Sequence, residues 1–216
     1  MVMTRVLIVD DHAVIRDGLA LLINDESDLE VCGEASDVVD GLQAISKMNP
    51  DVAIIDVSLE TGSGIELVKE VKARFPNVKI LVWSMFDESL YAERAIKAGA
   101  LGYIDKKNVR EDIIKAIRTV LAGNVYLSPE YSEKVINRLR DGDSPEAKLP
   151  TEALSDRELE TFRLIGQGRN TAEIAERMAL TISTIETYRS RIKEKLELKN
   201  ASQLIREATV WVLHNG

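Results

Sequence analysis

Carboxylates that follow directly on short apolar runs are the residues of this chain best suited to chemistry. Val6-Leu7-Ile8-Val9 is followed at once by Asp10 and Asp11, and Val52-Ala53-Ile54-Ile55 by Asp56. Runs this short are too brief for a buried helix and fit central parallel strands covered on both faces. Each acid then emerges at the carboxyl edge of a sheet, where open α/β folds carry their ligands. Acids that converge there repel, so one protonates or a cation joins them. Oxygen ligands with room for water suit a hard ion, most naturally Mg2+. Two further runs end on Ser84 and, after Gly102-Tyr103-Ile104-Asp105, on Lys106. An acid cluster, an ammonium and a hydroxyl make a site for a phosphoryl group, with the metal and the lysine neutralising its oxygens and a carboxylate as nucleophile. Asp10 or Asp11 alone would be explained as a helix cap, but suitable residues on several strand ends argue for function. His12, a lone histidine beside the pair, is assigned no role, and Asp51 and Asp105 are taken as solvated or capping acids.

The elements that must position these residues alternate. Strands are predicted over Arg5 to Val9, Leu29 to Ala35, Val52 to Ile55, Lys79 to Trp83 and Gly102 to Ile104. Between them fall helices Ala13 to Ile23, Val38 to Met48, Ile65 to Arg74 and Ser89 to Ala98, and Asn108 is expected to cap a helix from Val109 to Ala122. Val14, Leu19, Leu22 and Ile23 form the expected core face of the first helix. This alternation predicts an α/β doubly wound parallel five-stranded sheet. Tyr131 to Arg140 reads as a helix, and Asp141-Gly142-Asp143-Ser144-Pro145 as loop. Beyond it the pattern is all helix: Ser155-Asp156-Arg157-Glu158 is a capping box opening one helix, Thr171 to Met178 is a second, Ser183 is expected to cap Thr184 to Leu196, and Ala201 to Leu213 is the last. Ile185, Ile192 and Leu196 should be core. The expected organisation is a domain over 1–122, a linker with one helix over 123–150, and a small all-α four-helix domain over 151–216.

Charge divides the same way. The net charge of the chain is −8, with 28 Lys/Arg and 36 Asp/Glu. Residues 1–122 hold 14 basic and 21 acidic side chains, giving −7, whereas 151–216 hold 10 of each. An acidic front and a neutral back suggest two jobs. The single cysteine, Cys32, is expected to be a small buried hydrophobe in a reducing compartment. No signal peptide and no membrane-spanning run are read, so a cytoplasmic protein is expected.

The motifs LIVDDH and IIDVSL, the Ser84 strand end and Gly102-Tyr103-Ile104-Asp105-Lys106 resemble the receiver domain of two-component response regulators, over residues 4–122. The resemblance implies that Asp56 accepts a phosphoryl group from a histidine kinase. It implies that Asp11, Asp56 and the backbone carbonyl of Ser58 bind Mg2+, with Asp10 acting through water. Lys106 would pair with the phosphoryl oxygens, the Ser84 hydroxyl would move to meet them, and Tyr103 would be the aromatic switch that turns inward. Glu60 and Lys107 stand where relatives often carry proline. Residues 154–213 resemble the LuxR-type helix-turn-helix domain, which together with the receiver points to the NarL/FixJ family. Thr184, Glu186, Thr187, Tyr188, Arg189, Arg191 and Lys195 would then face promoter DNA, arginine and lysine holding phosphates and Glu186 and Thr187 meeting base edges. Glu186 and Tyr188 depart from the lysine and histidine of many relatives. The last helix offers a dimer contact.

The resulting expectation is a phosphorylation-switched transcription regulator, with a homodimer forming on phosphorylation. It is not an enzyme, self-dephosphorylation being the one activity it would carry. The alternatives are a phosphorylation-independent DNA-binding regulator whose acidic pocket is structural, a metal-dependent phosphatase, and an adaptor whose helical tail binds protein. The phosphatase lacks a second acid two residues after Asp56, where Ser58 stands, and there is no P-loop.

Overall fold

Strands β1 (Thr4–Val9), β2 (Leu29–Ala35), β3 (Val52–Ile55), β4 (Lys79–Ser84) and β5 (Gly102–Asp105) pair in parallel in the order β2-β1-β3-β4-β5. This computed structural model describes residues 3–59, 61–107, 110–141 and 150–215. The expected cap Asn108 and the loop-forming run 142–149 lie outside the described residues. Helices α1 (Ala13–Asn24), α2 (Val38–Met48), α3 (Gly64–Arg74), α4 (Glu88–Ala98) and α5 (Arg110–Leu121) connect and flank the strands. Parallel strands need such crossovers, and the crossovers bury both sheet faces.

Alternate strand residues serve the two faces. Val6, Ile8, Val52, Ile54, Leu81 and Ile104 pack with Leu19 and Ile23 of α1 and Ile113, Ile117 and Val120 of α5. On the other face Gly41 of α2 lets Val9 and Leu67 close in, a Cβ there falling 3.3 and 3.1 Å from their side chains. The exposure of Val14, 82%, corrects the expected core face of α1: only Leu19 and Ile23 are buried, and Leu22 is half-buried. An amphipathic stripe on a helix lying against a narrow sheet covers less than its hydrophobic pattern suggests. Cys32 is also corrected, since it is half-buried rather than buried. It sits at a bulge in edge strand β2, between the partners of Val6 and Leu7, and burial pushes its thiol upward.

Chain contacts separate Met1–Tyr131 from Ser132–Gly216. Helix α6 (Pro129–Asp141) begins in the first of these units and continues into the second. The second unit holds a 3-10 turn at Pro150–Ala153 and helices α7 (Asp156–Gly166), α8 (Thr171–Arg177), α9 (Ile182–Lys195) and α10 (Ala201–Asn215). Ser155 accepts from the Glu158 N–H while the Glu158 carboxylate accepts from the Ser155 N–H, so the expected capping box is present. Asn170 and Glu173 form a second box at α8 that the sequence reading missed. The third helix starts earlier than Ser183 would have it: Thr181 accepts from Thr184 N–H at 3.2 Å and is the cap. Serine is the somewhat better cap by local preference, so the start at Thr181 is set by the packing of the helix rather than by the capping residue alone. Ile185, Ile192, Leu204 and Ala208 are fully buried, and Phe162 meets Trp211 edge-on at 5.8 Å.

So small a helical unit depends on few large side chains. Phe162→Ala should cost the second unit about 3–5 kcal/mol, read as loss of its helical signal at temperatures where the first unit stays folded.

Candidate phosphoacceptor site and nucleic-acid interface

Register decides what meets at the carboxyl edge. Val9 pairs with Ile55, so the next residues, Asp10 and Asp56, emerge side by side. Asp56 N–H donates to the Val9 carbonyl at 2.9 Å and holds that alignment past the last strand residue. Ser84 pairs with Asp105, which delivers Lys106 to the same edge, its N–H on the Ser84 carbonyl at 2.8 Å. The Lys106 ammonium then spans the acids: it donates to Asp10 Oδ2 at 2.5 Å and to Asp56 Oδ2 at 2.7 Å. All three side chains are at most 4% exposed. The ammonium also lies 5.5 Å from the centre of the Trp83 ring.

Electrostatics follow from this burial. Desolvation raises the Asp56 carboxyl above the ordinary range, and the Lys106 charge only partly offsets it. Burial pulls the Lys106 ammonium down, but Asp56 and Asp10 more than reverse this and it ends raised. The second carboxylate oxygen of Asp56, Oδ1, is buried with no hydrogen bond. A buried, unmatched anionic oxygen is costly. It is also the atom left over once Lys106 has taken Oδ2. Asp10, Asp11, His12 and Asp56 each bring a ligand atom within 4.8 Å of the others. The orphaned oxygen and the hard carboxylate donors fit Mg2+.

Gly64, Ser63 and Arg16, none of them a candidate site residue in the sequence, hold the loops around the acids. A Cβ on Gly64 would sit 1.8 Å from the Asp56 carbonyl, so α3 starts against the backbone of the acid only because residue 64 is glycine. Gly64 N–H donates to Val57 O at 2.9 Å, and Ser58 bridges Ser63 across the loop. Arg16 Nη1 donates to the Asp10 carbonyl at 2.7 Å and its Nε to Glu34 at 3.0 Å, fixing the β1–α1 turn. His12, given no role above, places Nδ1 2.6 Å from Asp11 Oδ1. Ser84 is fully buried, and its hydroxyl accepts from Phe86 N–H at 3.5 Å. Tyr103 is fully buried, its hydroxyl donating to the Phe86 carbonyl at 2.7 Å.

On α9, Glu186, Thr187 and Arg191 are exposed, while Thr184, Tyr188 and Arg189 are half-buried. Thr171 Oγ1 of α8 donates to Glu186 Oε1 at 3.0 Å, and Arg189 Nε lies 3.6 Å from the same oxygen. The Thr187 hydroxyl is turned back onto the Ser183 carbonyl at 3.0 Å. Lys195, expected to face DNA, is committed elsewhere: its ammonium donates to Glu158 Oε2 at 2.6 Å and to the Ala153 carbonyl at 3.1 Å. Burial raises the Glu158 carboxyl, but Lys195 and the Ser155 N–H outweigh it and leave it lowered. A four-carbon stem at the end of a short helix reaches the neighbouring helix start as easily as solvent, which spacing along α9 does not reveal.

Residues 6–118 match the family described as the response regulator receiver domain, and residues 152–208 match the bacterial regulatory proteins of the luxR family. The chain is therefore a response regulator, with a receiver domain and a LuxR-type DNA-binding domain. It belongs to the NarL/FixJ family of two-component transcription regulators. Oxygen regulatory protein NreC of Staphylococcus carnosus is 35% identical over 208 residues, covering 94% of this chain and 96% of the relative. NreC of Staphylococcus epidermidis (strain ATCC 12228) is 34% identical over 209 residues, covering 94% and 96%. Among solved structures, RcsB of Salmonella typhimurium superposes with a TM-score of 0.73 at 24% identity, covering 97% of this chain and 98% of that one. A LuxR-family response regulator from Aurantimonas sp. SI85-9A1 gives 0.60 at 28% identity, covering 64% and 99%. Among the described residues, no helix is long and apolar enough to cross a membrane.

Two outcomes are expected. Because the folded-state pKa of Asp56 is raised, its ionisation weakens the fold as pH climbs through that pKa. Asp56→Asn should therefore raise the metal-free Tm by a few degrees at neutral pH; a fall in Tm would mean that the Lys106 pairing outweighs desolvation. Glu158 is the opposite case, its contribution present above the ordinary glutamate pKa and lost as pH falls. Lys195→Ala should cost the second unit on the order of 1 kcal/mol at neutral pH, a deficit that closes in acid melts as Glu158 protonates.

Proposed function

We propose that Asp56 is the phosphoacceptor of this regulator, taking its phosphoryl group from the phosphohistidine of a sensor histidine kinase. The observation that carries the reading is the free, buried Asp56 Oδ1 beside a carboxylate oxygen already matched to Lys106. One carboxylate oxygen of Asp56 attacks phosphorus, the P–N bond breaks, and the departing imidazole nitrogen takes up a proton. Asp11, Asp56 and the Ser58 carbonyl would hold Mg2+, with Asp10 reaching it through water; the ion supplies charge neutralisation on the phosphoryl oxygens. Lys106, already between Asp10 and Asp56, exchanges a carboxylate partner for a phosphoryl oxygen. The Ser84 hydroxyl moves from Phe86 N–H to the same group, and Tyr103 holds the inward position behind it.

The output is promoter binding by a homodimer. RcsB of Salmonella enterica has been solved bound to the promoter rprA in the presence of the phosphomimetic BeF3- (24% identity, TM-score 0.69), and a further RcsB structure holds two dimers bound to two parallel DNAs. By analogy α9 would enter the major groove, with Arg189 and Arg191 on phosphates and Thr184, Glu186, Thr187 and Tyr188 nearest the bases. Glu186 is oriented by Thr171 and Arg189, so it would accept from a cytosine amine rather than neutralise phosphate. Exposed Ile205, Val210 and Leu213 on α10 would supply dimer contacts.

A second reading is favoured by the Lys106 bridge itself, which balances much of the acidic charge without phosphate: a regulator that binds DNA regardless of phosphorylation. Intact mass after incubation with Mg2+ and a small phosphodonor separates the two. Gain of one phosphoryl group by wild type and none by Asp56→Asn is the expected result. Equal DNA affinity with and without that group would instead favour the second reading. On DNA, Arg191→Ala should weaken binding to all sequences alike and lower the slope of log affinity against log salt by about 1 per protomer.

A further inference from the structure

The chain leaving α5 is tied back to the sheet before it becomes the linker. Tyr126 lies in a parallel bridge with Gly102 of β5. Its N–H donates to the Leu101 carbonyl at 2.9 Å, and its carbonyl accepts from Tyr103 N–H at 3.0 Å. The outer edge of β5 is thereby covered, which removes a row of unpaired backbone groups. Residue 102 is glycine where the two segments close in: a Cβ there would fall 3.0 Å from the Tyr126 carbonyl and 2.8 Å from Leu81. Two residues on, Ser128 N–H donates to Glu88 Oε1 at 2.8 Å, and Glu88 is the first residue of α4. Burial holds the Glu88 carboxyl above its ordinary range although Ser128 opposes this. Helix α6 begins at the very next residue, Pro129.

The two anchors of this segment are the parts of the receiver that answer to Ser84. Tyr103 contributes its backbone N–H to Tyr126 and its hydroxyl to Phe86. Phe86 in turn is bound to the Ser84 hydroxyl, and Glu88 follows only two residues later. We propose that residues 126–128 form a clasp between β5 and α4, through which occupancy of the Asp56 site is passed to α6, with Glu88 and Tyr126 as positioning residues. When Ser84 leaves Phe86 for a phosphoryl oxygen, the turn from Phe86 to Glu88 loses one of the bonds that fix its position and shifts, with the Tyr103 hydroxyl still on the Phe86 carbonyl. Hydrogen bonds at 2.8–3.0 Å tolerate little displacement. The Ser128 contact is remade or lost, and the start of α6 follows it. This gives the coupling a two-position element biased from the phosphoryl site. The inference rests on the phosphorylation reading above.

The test uses the full chain, wild type beside Glu88→Ala and Glu88→Gln, with Mg2+ and a small phosphodonor. Phosphoryl uptake by intact mass should be the same in all three. In wild type, hydrogen exchange at the Tyr126 and Ser128 amides should change on phosphorylation, and DNA affinity should change by a factor in the range of roughly 5–150. Glu88→Ala should shrink that factor by about fivefold, while Glu88→Gln, which keeps an acceptor oxygen, should retain most of it. A wild-type response carried over intact in Glu88→Ala would overturn the clasp alone. A wild type whose DNA affinity ignores phosphorylation would overturn the parent reading, and the clasp with it.

Discussion

Two carboxylates forced side by side at the end of neighbouring strands need a positive partner, and in this protein Lys106 supplies it. The parallel pairing of β1 with β3 leaves Asp10 and Asp56 no choice but to emerge together. Left alone, they would repel in a site closed to water. The lysine is held by the β4–β5 pairing, so the charge balance of the site depends on strands contributed from across the sheet. The same arrangement leaves one oxygen of Asp56 without a hydrogen bond, and the proposed role of the residue as phosphoacceptor rests on that oxygen.

Around this centre the fold uses small residues to permit approach and charged ones to hold it. Gly64 lets a helix begin against the backbone of the acid, and Gly102 lets the post-α5 segment lie against β5. Arg16 fixes the turn that carries Asp10. These features fix the backbone beside the site, although three of its residues stand at loop junctions.

The second unit solves a different problem. With few large side chains, it is held by reciprocal capping at α7 and α8, by the Phe162–Trp211 contact and by the tie from Lys195 to Glu158. That tie takes a basic residue away from the face expected to meet DNA. The face that remains mixes arginine with glutamate, which suits reading of particular base edges better than bulk attraction to phosphate.

Much of this was legible in the residues. The apolar runs and their terminal acids located the strands, their order of appearance and the chemical edge, because burial on both faces imposes a local pattern. The Ser155–Glu158 box was legible because capping acts over three residues. Other features were not. Whether Val14 is covered, whether Thr181 or Ser183 caps α9, where Lys195 ends and what the segment after α5 pairs with all depend on neighbours that the local pattern does not name. By itself, the sequence determined the alternation of strands and helices, the acids at the strand ends and the kinship with response regulators, all of which are encoded in short-range periodicity and motif. Only the tertiary structure decided which atoms meet. The partners of Lys106 lie 96 and 50 residues away, and their contact is set by strand register and side-chain reach rather than by spacing along the chain.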